Sequence, residues 1–146
     1  MNGVHFLHRH RNQSLSQAAE AATKVYVYDT GLVMGDDGLR FENLVATALH
    51  KHVQWQQDVQ GQEAGLHYIR TKDGAEVDFA LSHKGQLSQL VECKLSDPKP
   101  HRALLRFARE QPQAQAVQVL RHLPHSHALG EIQIVRADEY LNGLVA

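Results

Sequence analysis

The stretch Leu66-His67-Tyr68-Ile69-Arg70-Thr71-Lys72-Asp73-Gly74-Ala75-Glu76-Val77-Asp78-Phe79-Ala80-Leu81 sets an Asp-Gly pair between two β-like runs, and no other feature narrows the fold as much. An Asp-Gly dipeptide between such runs is the strongest short-range signal of a hairpin, because both central residues of the tight turn need a left-handed backbone. Lys84-Gly85-Gln86 reverses the chain again, and Leu87 to Leu95 returns as a third strand.

The flanking segments predict what this sheet packs against. Lys24 to Tyr28 alternates like a strand and stops at the turn Asp29-Thr30-Gly31. From Leu39 to about His52, Phe41, Leu44, Val45, Ala48 and Leu49 recur at helical spacing, and Val53 to Val59 reads as a short strand. After Asp97-Pro98-Lys99-Pro100, residues His101 to Glu110 read as a helix with Leu104, Leu105 and Ala108 on one side; Gln115 to Arg121 and Glu131 to Val135 read as strands. The order is that of an α/β layer fold with a mixed sheet, and the connection from the third strand through the helix to Gln115–Arg121 is expected to be a right-handed parallel crossover.

Residues 1–23, with His5, His8 and His10 among arginines, read as a tail or loosely docked helix, and 24–146 as one domain. A chain of 146 residues, 42% hydrophobic and 21% charged, suits one globular core. The formal net charge of −1 gives no global basic field, so any nucleic-acid site must be a local patch. Cys93 is the single cysteine, which excludes an internal disulfide framework. With no apolar run of membrane-spanning length and no signal-peptide core, the expectation is a soluble cytoplasmic protein without a membrane partner.

Ionised groups in the middle of apolar strands demand an explanation, since a buried carboxylate is costly unless it is paired or holds a metal. Strict alternation puts Glu76, Asp78 and Ala80 on one face and Val77, Phe79 and Leu81 on the other. It likewise puts Leu90, Glu92 and Lys94 opposite Val91, Cys93 and Leu95. If the strands are neighbours, Asp78, Glu92 and Lys94 converge, with Glu42 reaching in from the helix. Mg²⁺ suits such a site, because it binds one or two protein carboxylates and completes its shell with waters and phosphate oxygens. An acid-x-Lys tripeptide alone is weak, arising about once by chance in a chain of this size, and Asp97-Pro98-Lys99 is a decoy on a proline-flanked loop.

The runs Phe41-Glu42-Asn43-Leu44-Val45, Tyr68 to Phe79 and Val91-Glu92-Cys93-Lys94-Leu95-Ser96 together resemble the PD-(D/E)xK nuclease superfamily. With Lys24 to Leu32 they resemble, more narrowly, the C-terminal domain of unknown function that follows the ATPase module of prokaryotic AAA+-like ATPases. The resemblance covers roughly residues 24–122 and implies a restriction-endonuclease-like αβββαβ core, a mixed central sheet flanked by helices. It implies that Asp78 is the metal-binding acid, Glu92 the second acid, Lys94 the catalytic lysine and Glu42 the helix acid, with Mg²⁺ or Mn²⁺ as cofactor. Val77 stands where the family usually has proline. No GxxxxGK[ST] motif occurs, so P-loop ATP binding is not expected, and the chain looks like a stand-alone or shortened version of the domain.

Two functions from different classes follow as expectations. One is a metal-dependent nuclease domain hydrolysing phosphodiester bonds, with nucleic acid, DNA by preference, as partner. The other is a non-catalytic module that keeps the fold and docks nucleic acid, an AAA+-like ATPase or a second copy. Glu76 reads as an exposed hairpin-end acid before an auxiliary ligand. Arg102, Arg106 and Arg109, with His101, read as a solvated helix face before a phosphate-binding stripe, and the same holds for Arg70.

Overall fold

The computed structural model describes residues 26–27 and 33–144. In chain order the elements are α1 (Asp37–Asp58), β1 (Ala64–Arg70), β2 (Glu76–His83), β3 (Gln86–Lys94), α2 (Arg102–Glu110), β4 (Gln115–Leu120), β5 (His127–Leu129), β6 (Ile132–Arg136) and α3 (Ala137–Asn142). The expected tail at 1–23 and the turn at 29–31 lie outside the described residues, as does the strand at 24–28 apart from Tyr26 and Val27.

The strands form one six-stranded mixed sheet in the order β1-β2-β3-β4-β6-β5. β1, β2 and β3 pair antiparallel in sequence, as the Asp73-Gly74 and Lys84-Gly85 turns predict. β3 and β4 pair parallel, with α2 in the connection between them. β6 lies parallel to β4, and β5 closes the far edge antiparallel to β6. Sequence periodicity misses β5 and α3. β5 has three exposed residues and no buried face, so it leaves no apolar pattern to find.

Each face of the sheet carries its own core. Leu104 and Phe107 of α2 pack on Val77, Ala80, Leu90, Ala116, Leu120, Ile132 and Ile134. On the other face Phe41, Val45, Leu49 and Val53 of α1 pack with Tyr26, Phe79, Val91, Val117 and Val119, joined by Tyr140 of α3. Each fully buried Leu or Phe in these layers contributes about 1.5–3 kcal/mol.

α1 corrects two expectations. The strand expected at Val53 to Val59 is the last part of this helix: Val53 is buried one turn beyond Leu49, and the helix ends where the Val59 N–H bonds Trp55 O. Glutamines are good helix formers, and nothing breaks the pattern before Gly61. Leu44 is also 45% exposed rather than part of the core stripe, while Asn43 and Thr47 are buried in its place. Asn43 is drawn inward because its amide pairs with both polar backbone groups of Val27, at 2.9 and 2.7 Å.

In the β2–β3 turn, Lys84 and Gly85 have φ of 51° and 73°, so both central residues are left-handed. Glycine adopts this conformation without strain, whereas a lysine there brings its Cβ too close to a backbone carbonyl oxygen. Lys84→Asn, which creates the Asn-Gly pair such turns favour, is expected to raise stability by about 0.5 kcal/mol in urea unfolding.

β2 breaks strict alternation at one point. The β1–β2 register shifts between His67 and Ile69, so that Asp78 and Phe79 together oppose Tyr68. That is a β-bulge, one extra residue on one strand. Val77 therefore faces α2 with Ala80, instead of sharing a face with Phe79 and Leu81. β3 has its own register shift at Ser88, which leaves Leu87 and Leu90 both on the α2 side, and alternates from there on, with Val91, Cys93 and Leu95 on the α1 side.

Candidate active site

β2 and β3 are paired from His83 and Gln86 as far as Phe79 and Val91. Beyond that point side chains replace the ladder. Asp78 Oδ2 accepts the Cys93 N–H at 2.9 Å, and Glu92 Oε2 accepts the Asp78 N–H at 3.3 Å. The bulge thus places two carboxylates at the parting of two central strands, each held by the other strand's backbone.

Glu92 is the more enclosed of the site's charges, with 6% of its side chain exposed, and its Oε1 meets Lys94 Nζ at 3.3 Å. Lys94 is 34% exposed, so its ammonium faces both the buried acid and solvent. His101, the residue before α2, sets Nδ1 3.4 Å from the same Glu92 oxygen. That nitrogen is enclosed, yet it makes no hydrogen bond. Burial, and then the Lys94 ammonium, hold the imidazole pKa below its ordinary value against the opposite pull of Asp78 and Glu76. The contact is therefore one of neutral imidazole beside a carboxylate rather than an ion pair.

Glu42 approaches from α1, where it accepts the Tyr26 hydroxyl at 2.7 Å. Tyr26 is buried, its ring centroid 5.6 Å from that of Phe79. Burial, then the charge and hydrogen bond of Glu42, then Asp78 and Cys93, push its phenol far above the usual range. The phenol therefore stays protonated and keeps donating. Asp78 is in electrostatic reach of both Tyr26 on one side of the sheet and His101 on the other.

The structure joins Asp78, Glu92 and Lys94 through direct contacts and brings Glu42 to the site's border through Tyr26. Among the described residues, no group of three or more His, Cys, Asp or Glu is gathered closely enough to hold a metal ion. Glu76 lies opposite Arg70 in the β1–β2 register. Arg106 is tied to Glu110 at 3.0 Å and Asp73 at 3.2 Å, and Arg109 lies 3.7 Å from Glu131, so much of the arginine stripe is neutralised by its neighbours.

Sequence reasoning overlooked Tyr26 and Gln118 and gave His101 only a place beside the arginines. Gln118 is wholly buried opposite Glu92 in the β3–β4 register. Its Oε1 accepts the His101 N–H at 2.8 Å, and its Nε2 donates to Asp97 O at 3.2 Å and Lys99 O at 2.9 Å. A lone amide within Ala116-Val117-Gln118-Val119-Leu120 is the same kind of signal as Glu92 in its strand, and it could have been read that way.

A six-stranded mixed sheet flanked by helices, with paired acids and a lysine where two strands part, defines a mixed α/β domain with a polar centre set into its sheet. Residues 37–140 match the family described as Domain of unknown function (DUF4143), and the chain belongs to that family, the C-terminal domain of AAA-like ATPases. No curated protein and no solved structure matches the chain. Among the described residues, no helix is long and apolar enough to cross a membrane.

Proposed function

We propose that the domain is a divalent-metal-dependent phosphodiesterase acting on nucleic acid, DNA in the first instance, on a restriction-endonuclease-like core. The observation that carries this reading is the parting of β2 and β3 at Asp78 and Glu92, with Lys94 on the same acid. The order α1-β1-β2-β3-α2-β4 supports it, being the αβββαβ order of the nucleases the sequence resembles.

Mg²⁺ or Mn²⁺ fits the donor set, because such ions take one or two protein carboxylates and leave the rest of the shell to water and phosphate oxygens. Asp78 and Glu92 would hold the ion, with Glu42 assisting from the α1 side. Bound there, it would act as a Lewis acid that neutralises charge building on the phosphoryl oxygens. Lys94 then has two tasks that its partly exposed side chain suits. It orients the attacking water, and it contacts the phosphate.

A second reading is favoured by a specific observation: both acids already accept backbone N–H groups, which is what a purely structural clamp would do. In that case the domain docks nucleic acid or an ATPase partner without cutting. Two substitutions separate the readings. Asp78→Asn keeps an oxygen for the Cys93 N–H and removes a like charge beside Glu92, so it should melt at or above the parent temperature in EDTA. It should also lose metal-dependent cleavage and most of the Mn²⁺ melting shift, which for the parent corresponds to roughly 2.7 kcal/mol at about 100 times Kd. Asp78→Ala strands the Cys93 N–H and should lose about 1–3 kcal/mol with or without metal. A parent that shows neither EDTA-sensitive cleavage nor a Mn²⁺ shift would leave the clamp as the whole role of Asp78.

A further inference from the structure

His101 is a polar group at this centre that the proposed chemistry leaves unused. Its backbone is fixed independently of its ring, through the N–H held by Gln118 Oε1 at 2.8 Å. The ring is thus carried to Glu92 by the sheet and by the start of α2. Its Nδ1 is nevertheless enclosed without a hydrogen bond, a state that proteins seldom leave uncompensated.

The distance to Glu92 suggests what compensates it. Nδ1 lies 3.4 Å from Glu92 Oε1, close but misaligned for a hydrogen bond. At bond lengths of about 2.1 Å, two ligands of one ion stand about 3.0 Å apart at a right angle and about 3.4 Å apart at a tetrahedral angle. The carboxylates of Asp78 and Glu76 also act on this ring from a distance.

We infer that His101 Nδ1 and Glu92 form a preset pair of ligands for one divalent ion, completed by Asp78 on binding, and that the site takes an imidazole-compatible transition ion such as Co²⁺ in preference to Mg²⁺. The inference rests on the metal reading of the site and adds a ligand and a selectivity to it. Mg²⁺ demands oxygen donors and gains little from an imidazole, whereas affinity for a nitrogen-containing site rises along the first-row divalent series. As the side chains stand, the pair is set, and no group of three such donors is gathered among the described residues.

The test is calorimetric titration of the purified chain with Co²⁺ and with Mg²⁺, without nucleic acid. The parent should bind Co²⁺ at least about tenfold more tightly than Mg²⁺, and His101→Ala should lose that preference, its Co²⁺ affinity falling about 10–100-fold while Mg²⁺ changes by less than about twofold. His101→Asp, which puts an oxygen donor in the same place, should move the preference toward Mg²⁺ and carries the test if the alanine variant does not fold. Co²⁺ binding unchanged in both His101 variants but lost in Asp78→Asn would remove His101 from the ligand set and leave the metal site standing. A parent that binds neither ion would overturn both readings.

Discussion

Lys94→Met is expected to lower nucleic-acid cleavage about 10²–10⁴-fold while leaving the Mn²⁺ melting shift nearly whole. The two readouts should separate because of where the ammonium sits. It touches Glu92 Oε1 at 3.3 Å on a side chain that is itself 34% exposed, whereas Glu92 Oε2 is held by the Asp78 backbone. Methionine keeps the stem packed and removes only the charge. Glu92 then keeps the Asp78 N–H, so the loss of stability should stay at about 1–2 kcal/mol, below that of a wholly buried pair left with one partner. Single-turnover cleavage measured beside thermal melting in Mn²⁺ checks both halves. Cleavage that survives in the variant would belong to a contaminating enzyme. Loss of the melting shift together with cleavage would assign Lys94 to the geometry of the metal site rather than to water and phosphate.

The strands were readable because their turns and alternation are local. Asp73-Gly74 and Lys84-Gly85 set the antiparallel register, and β3 alternates without a break from Leu90 to Lys94, so Glu92 and Lys94 share a face as the sequence suggests. β2 could not be read the same way. The extra residue at Asp78 turns Val77 over to the α2 side, and a bulge leaves no mark in composition when its residues are ordinary strand residues. That bulge matters to the site, since it sets Asp78 where the ladder to β3 gives way. The polar frame was illegible for another reason. Asn43 with Val27, Tyr26 with Glu42, and Gln118 with His101 join residues that are 16 or 17 positions apart, and nothing short of the folded sheet says which donor meets which acceptor. Leu44 shows the converse: it fits the helical stripe, but its place in the stripe is taken by an asparagine whose backbone partner lies on another segment.

Gln118→Leu is expected to be strongly destabilising, and its effect should reach the chemistry as well. Leucine nearly matches glutamine in volume, so the wholly buried position stays filled. What disappears is the anchor for three backbone groups: the His101 N–H, and the carbonyls of Asp97 and Lys99. Asp97 and Lys99 are exposed residues, so water can recover part of what their carbonyls lose. The His101 N–H, part-buried at the start of α2, should bear the largest share of the penalty. At about 1–3 kcal/mol for each stranded group, discounted for the two carbonyls, the sum is about 2–4 kcal/mol. For a domain of this size that is a fall in Tm of roughly 10 °C. Gln118→Glu should be worse, because it keeps the acceptor for His101 but loses both donors and buries a second carboxylate opposite Glu92 in the β3–β4 register. The same anchor fixes the segment from Lys94 to α2, so cleavage measured well below the melting point should also fall in Gln118→Leu. A fall of less than about 1 °C would show that Pro98 and Pro100 hold this segment without the glutamine, and unchanged cleavage would show that His101 keeps its place by other means.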